Sequence, residues 1–329
     1  MNPFAYQRAD DADVAIKARA HSDDAKFLAG GTNLVDLMKN HVENPSRLID
    51  IKRLPLAAIE RLPDGGLRLG ALARNSDTAD HPLVRQSYPL LAQAILSGAS
   101  PQLRNMATNG GNLLQRTRCY YFTDTAFHEC NKRDPGSGCG ALEGVNRIHA
   151  IFGASDHCIA THPSDMCVAL AALNATIRVR GPKGERSIAF DEFHRLPGSS
   201  PHLDTTLAAE ELILSIDLPP FGYSENSHYL KVRDRASYAF ALVSAAAALD
   251  MDGGRIRSVR LALGGVAHKP WRAKAAEQEL MGKDVSIANF KAAADQELRQ
   301  AKPYSHNRFK IEMVKQAIVR SLSIAGGLV

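Results

Sequence analysis

Four of the chain's five cysteines, Cys119, Cys130, Cys139 and Cys158, fall within about forty residues of a 329-residue sequence. The segment is wedged between Ala107-Thr108-Asn109-Gly110-Gly111-Asn112 and Thr161-His162-Pro163-Ser164-Asp165. Both flanks read as parts of one nucleotide site, so whatever the thiols form must fold as an insert beside that site. Thiols placed next to a dinucleotide point to electron transfer rather than to nucleotide binding alone.

The spacing does not identify what the thiols hold. Gaps of ten, eight and eighteen residues lack the close C-x₂-C pairs of ferredoxins and zinc ribbons. An iron–sulfur cluster, zinc and free thiols all remain open on spacing alone. His128, His149 and His157 lie in the same segment as rival ligands, although a histidine there is more often a surface or packing residue. Cys167 stands apart, on the apolar face of an expected helix, where a cysteine acts as a small hydrophobe.

Composition narrows the class. The 40 basic and 35 acidic residues leave a net charge of +5, and no Lys/Arg block of the nucleic-acid-binding kind appears. No apolar run approaches the roughly 18 residues of a membrane span. The stretch Met1–Arg8 carries charge and no apolar core, so it does not read as a secretory signal. The chain is therefore expected to fold in the cytoplasm, where cysteines serve metals or catalysis more often than disulfides.

Periodicity and turn residues predict an α+β organisation. The first part should hold a helix at 11–20, a strand at 26–29, a helix at 34–39 and a strand at 47–51. A strand at 66–72 and one amphipathic helix over 83–96 should follow. After the cysteines come a helix at 164–174 and a hairpin of strands 175–180 and 186–190 about Gly181-Pro182-Lys183-Gly184. A strand at 211–218 ends in Pro219-Pro220-Phe221-Gly222, a natural boundary. Beyond it, strands at 228–233, 239–250 and 257–263 and helices at 273–281, 287–301 and 310–321 describe a sheet covered by helices on one face. These readings divide the chain into residues 1–222 (1–55 and 56–222, with the insert at about 115–160) and residues 223–329.

Lys26-Phe27-Leu28-Ala29-Gly30-Gly31-Thr32-Asn33-Leu34 sits where a strand hands over to a helix. Adjacent glycines permit φ > 0 and close backbone approach, and freed N–H groups suit a pyrophosphate. A plain turn with a capping Thr or Asn is the competing account. The loop is neither G-x-G-x-x-G nor a P-loop. Thr108, Gly111 and Asn112 repeat the chemistry eighty residues later, and two such loops are harder to explain as turns. Asp165 is either a helix-start carboxylate or an acceptor for ribityl or ribose hydroxyls. No Ser-His-Asp set, H-E-x-x-H or paired-carboxylate signature is present.

In this order, Ala29–Leu34, Ala107–Asn112, Pro163-Ser164-Asp165, Lys231, Leu263-Gly264-Gly265-Val266-Ala267 and Pro270-Trp271-Arg272-Ala273 resemble the FAD-binding subunits of the molybdenum hydroxylases, the xanthine and carbon monoxide dehydrogenase family. The resemblance covers nearly the whole chain. It implies a two-part FAD domain of the vanillyl-alcohol-oxidase (PCMH) type and a C-terminal α+β domain of the CO dehydrogenase flavoprotein type. It further implies that residues 26–34 wrap the FAD pyrophosphate, that Thr108, Gly111 and Asn112 hold the phosphate and ribityl region, and that Asp165 takes hydroxyls. Lys231 would approach the isoalloxazine, and Leu212 or Ile213, more specifically Ile213, would contact the ring.

The insert departs from most of the family, and a segment that long marks function. In this it is similar to the FAD subunits of periplasmic aldehyde oxidoreductases, which carry an extra [4Fe–4S] cluster. That likeness implies the ligands Cys119, Cys130, Cys139 and Cys158. It also implies a heterotrimer with a molybdenum-cofactor large subunit and a [2Fe–2S] small subunit, passing electrons to an external acceptor. Periplasmic location would then need co-export with a signal-bearing partner; the alternative is cytoplasmic. A hydroxybenzoyl-CoA-reductase-type subunit, a stand-alone flavin oxidase and a zinc-stapled scaffold are the other expectations.

Overall fold

Short β-rich runs separated by Gly, Pro and Asp set the framework of the computed structural model, which describes residues 1–329. Strands β1 (Ala5–Arg8), β2 (Lys26–Leu28) and β3 (Arg47–Asp50) form a parallel sheet in the order β1-β3-β2. Parallel neighbours need crossovers, and the helices Ala12–Ala20 and Leu34–Lys39 supply them. Asp11 caps the first, its carboxylate accepting the Val14 N–H at 2.8 Å. Central β3 buries Leu48, Ile49 and Asp50, as a middle strand should.

Strands β4 (Ile59–Arg61), β5 (Leu67–Gly70), β6 (Thr176–Gly181), β7 (Gly184–Ala189) and β8 (Leu212–Leu218) form an antiparallel sheet in the order β4-β5-β8-β6-β7. The predicted hairpin is β6–β7, closed by Gly184 at φ +103°, a conformation that favours glycine. The single helix expected over 83–96 is instead two, Pro82–Ser87 and Pro89–Ser97. Pro89 removes an N–H and drives Tyr88 to φ −136°, so the helix restarts there. The element boundary costs no burial, because Leu90, Leu91 and Ile95 still face the core.

Strands β9 (Ser227–Val232), β10 (Val243–Asp252), β11 (Arg255–Gly264) and β12 (Trp271–Arg272) form a second antiparallel sheet in the order β12-β11-β10-β9. Here the expected one-faced cover is corrected. Ala245, Ala247 and Leu249 pack against the helix Phe309–Ala325, β11 against Lys274–Leu280, and Ile287–Leu298 packs on both of those helices. Ala246 and Ala248 face the other way, into the core shared with the helices Pro89–Ser97 and Asp165–Ala172. The sheet is buried on both faces, which the unalternating run Ser244–Leu249 permits because its side chains are small. That two-sided burial locks the C-terminal sheet onto the part of the chain that carries the glycine loops.

The insert between Arg116 and Ala160 contains one helical turn, Tyr120–Thr123, and no strand. Side-chain bonds to backbone replace a ladder. Asn131 accepts from the Gly136 and Gly138 N–H groups and donates to the His157 carbonyl. Arg133 donates to the carbonyls of Tyr121 and Phe122. No helix of the chain is long and apolar enough to cross a membrane.

Candidate functional site

The two glycine loops meet. A Cβ on Gly30 would overlap the Met106 carbonyl oxygen, so that position needs glycine, while one on Gly110 would sit tightly against Ala71 at 3.2 Å. Gly31 adopts φ +75°, which turns the first loop back toward the helix Leu34–Lys39. The N–H groups of Gly31, Thr32 and Asn33 find no acceptor within the chain, and neither does the buried Asn33 Nδ2. Together they form a concavity of donors suited to an anion.

A cavity of about 410 Å³ opens from this concavity. Residues 26–34 line it, as do Thr108, Gly111, Leu212 and Ile213. In the second loop Thr108 is a helix cap, its hydroxyl accepting the Gly111 N–H at 3.2 Å. Asn112 does not reach the cavity. It donates to Asn75 at 2.7 Å and, through Oδ1, accepts from Ser164 at 2.5 Å, tying the second loop to the helix Asp165–Ala172.

Asp165 and Lys231, assigned to separate tasks from the sequence, form one buried ion pair at 2.8 Å. Asp165 also accepts from the Tyr229 hydroxyl at 2.7 Å, and Lys231 donates to the Ser97 carbonyl at 3.0 Å. Asp165 lines a second cavity of about 210 Å³, with Tyr120, Asp234 and Phe240 on its walls. Asp234 pairs with Arg147 there, and Arg235 folds back onto the Tyr238 carbonyl.

Sequence reasoning missed a charged network between the first cavity and the insert. Arg116 pairs with Glu43 at 2.5 Å and with Asp204 at 2.9 Å, and its guanidinium lies over the Phe122 ring at 4.7 Å. Lys132, buried, also pairs with Asp204. Burial alone would raise the Asp204 carboxyl, but Lys132 and Arg116 outweigh it and hold it far below the usual range. Nothing in the sequence relates Asp204 to Arg116, 88 residues away; only the fold brings them together.

The four insert cysteines converge. They surround one small enclosed void, with Cys130 and Cys139 facing each other across an isolated antiparallel bridge. All four are free thiols and share an apolar cluster with Phe122, Ala141 and Ile159. Burial pushes the Cys119 thiol up to about 12 and that of Cys158 to about 11. Such thiols are poor nucleophiles, and only a cationic centre in the void would make thiolates of them. Four thiols are the donor set of an iron–sulfur cluster or of zinc, but no three of their sulfurs lie within 4.8 Å of one another, as the ligands of a single tetrahedral ion must, so the spacing suits a cluster better than zinc.

Of the rival histidines, only His149 is buried, with Nε2 3.0 Å from Cys119 Sγ; His128 and His157 are exposed. Cys167 is fully buried in the core helix, away from the void. Replacing Cys167 with alanine is therefore expected to leave the metal content of the purified chain unchanged. Metal loss in that variant would overturn the choice of four ligands.

His162, Cys167 and His194 also gather, with possible ligand atoms within 4.8 Å of one another. His162 Nδ1 accepts from the Ser164 N–H, and His194 Nε2 donates to the Leu113 carbonyl. The remaining His162 Nε2 and His194 Nδ1 are buried without a hydrogen-bond partner, and the two rings pack edge to face with centroids 4.4 Å apart. Burial pushes His194 and nearby His268 down to about 4 and His162 lower still. The unfolded chain binds protons first, at about 6.5, so stability is complete above that pH and falls as the pH drops toward 4. The expected slope is about 1.4 kcal/mol per pH unit for each histidine. Thermal midpoints between pH 7.5 and 5 test this, and a flat profile contradicts it.

Comparison with known proteins gives likenesses of three kinds. A family profile described as the FAD binding domain in molybdopterin dehydrogenase matches residues 2–221, and the CO dehydrogenase flavoprotein C-terminal domain matches residues 228–324. The chain is 49% identical to the aldehyde oxidoreductase FAD-binding subunit of Escherichia coli over 99% of each chain. It is 30% identical to the glyceraldehyde dehydrogenase medium chain of Sulfolobus acidocaldarius, covering 95% of this chain and 94% of that one. The carbon monoxide dehydrogenase structure from Hydrogenophaga pseudoflava superposes with a TM-score of 0.77 at 26% identity, over 99% of this chain and 98% of that one.

Proposed function

Because the chain belongs to the FAD-binding subunits of the molybdopterin dehydrogenases, we propose that it is the FAD- and [4Fe–4S]-bearing subunit of a molybdenum-dependent aldehyde oxidoreductase. It receives electrons that a molybdenum-cofactor large subunit and a [2Fe–2S] small subunit take from the aldehyde, and delivers them to an external acceptor. The observation that carries the cluster is the convergence of four free thiols on one void beside the glycine cavity. Aldehyde as substrate is supported by the full-length likeness to two chains named for aldehyde oxidation.

The residues divide the work. Gly31, Thr32 and Asn33 would receive the FAD pyrophosphate on their free N–H groups, with the rest of residues 26–34 shaping the wall. Thr108 and Gly111 would border the phosphate and ribityl region, Asn112 fixing that loop through Ser164. Ile213 would contact the ring system from the first cavity, and Asp165, held by Lys231, would offer its carboxylate to hydroxyls at the second cavity. Bound FAD supplies a carrier that exchanges electrons singly or in pairs. Cys119, Cys130, Cys139 and Cys158 would ligate the cluster, and Arg116, Lys132 and Asp204 would hold its loop against the FAD cavity. Periplasmic residence by co-export with a signal-bearing partner belongs to the same reading, and fractionation of cells with and without that partner's signal tests it.

The assembled heterotrimer and the isolated chain should differ in one decisive way. Anaerobic addition of an aromatic or aliphatic aldehyde is expected to bleach the flavin absorbance of the complex and leave the isolated chain yellow. Aldehyde turnover by the isolated chain would overturn the subunit assignment.

A further inference from the structure

Lys310 is buried to 0% exposure, in the helix Phe309–Ala325. Its Nζ donates to three backbone carbonyls, those of Gly265 at 2.6 Å, His149 at 2.9 Å and Ile148 at 3.1 Å. Three acceptors need three N–H donors, and a neutral amine has two and would turn its lone pair on a carbonyl. The geometry therefore selects the ammonium. Yet no carboxylate lies within ion-pair reach of it, while every other buried lysine near the site has one: Lys132 has Asp204 and Lys231 has Asp165. A buried cation without a counter-charge costs several kcal/mol.

One residue separates this cation from the cysteine void. Lys310 holds the backbone of His149, whose ring nitrogen is 3.0 Å from Cys119 Sγ. Burial lowers the Lys310 amine to about 7, with Arg147 adding to the effect. The chain supplies the positive charge and leaves the negative one to whatever fills the void.

We propose that Lys310 is a positioning residue of the electron path: its buried ammonium is the counter-charge of an anionic iron–sulfur cluster on the four cysteines and raises that cluster's reduction potential. The inference rests on the cluster reading above. A [4Fe–4S] centre held by four thiolates is a dianion when oxidised and becomes a trianion on taking one electron, from reduced flavin or from the partner's [2Fe–2S] centres. A fixed cation stabilises the more negative form more, so removing it must favour the oxidised cluster.

The test uses the assembled complex carrying Lys310→Gln, Lys310→Met or Lys310→Arg. Iron and FAD are quantified, and the cluster signal is followed by electron paramagnetic resonance during a redox titration. The Gln and Met variants are expected to keep their iron and to shift the one-electron equilibrium against reduction by about tenfold, 59 mV. The Arg variant should stay near wild type, and the flavin potential should move less than that of the cluster. An unchanged cluster potential in Gln and Met variants with full iron overturns the inference and leaves the cluster standing. Iron loss from all three variants, Arg included, makes Lys310 a structural tie and also overturns it. A wild-type complex without iron sinks the cluster reading itself, and this inference with it.

Discussion

Asp204→Ala is expected to lower the stability of the folded chain by about 3–5 kcal/mol, the usual loss when one partner of a buried ion pair is removed. Asp204 is the only carboxylate that Lys132 reaches and one of two that Arg116 reaches. Without it the Lys132 ammonium, whose side chain is 1% exposed, keeps only the Pro201 carbonyl. The double variant Asp204→Ala/Lys132→Met should recover part of the loss, because it removes the stranded charge as well. The pH dependence has a definite sign. Lys132 and Arg116 hold the Asp204 carboxyl well below its ordinary value despite burial. Its contribution is therefore present above the unfolded value of about 4 and is lost as the pH falls below it. Thermal or denaturant midpoints of the three proteins at pH 7 measure the effect; equal midpoints for wild type and Asp204→Ala would show that the network holds nothing together. Flavin retention should fall with stability, since Arg116 and Asp204 both line the cavity.

Gly30→Ala is expected to remove most of the bound flavin, a loss of at least about tenfold in affinity, or about 1.4 kcal/mol. The new methyl group meets backbone rather than a movable side chain, so the two loops must part at the floor of the anion concavity. Gly31→Ala should do less. Its cost is the left-handed backbone, about 1–2 kcal/mol, with side-chain contacts at 3.2 and 3.3 Å that can give. Gly136→Ala is the control, with φ +95° and open space around it. Flavin-to-protein ratios after gel filtration rank the three. A Gly30→Ala protein as yellow as wild type would show that loop contact does not shape the site.

Much of this was legible from residue order because the signals are local. The strand–loop–helix at 26–39 reads directly from a β-rich run, two glycines and an apolar helix, and the hairpin 176–189 from Gly-Pro-Lys-Gly. The four cysteines were legible as a group, although not their convergence on one void, since the insert has no periodicity from which a path could be read. What escaped were long-range pairings of charge. Asp204, Arg116, Glu43 and Lys132 come from three distant segments, and each reads alone as a solvated residue. The Asp165–Lys231 pair escaped differently, in that both residues were singled out but for separate tasks. The two-sided burial of the C-terminal sheet was hidden because its second cover comes from the helices Pro89–Ser97 and Asp165–Ala172, far earlier in the chain.

The most direct test of the account is to purify the chain anaerobically and quantify flavin, iron, sulfide and zinc on one sample. About one FAD and four irons per chain, with acid-labile sulfide to match and no zinc, is the predicted result. One FAD with a single zinc and no iron would contradict it, leaving the insert a structural staple and the four cysteines outside the electron path.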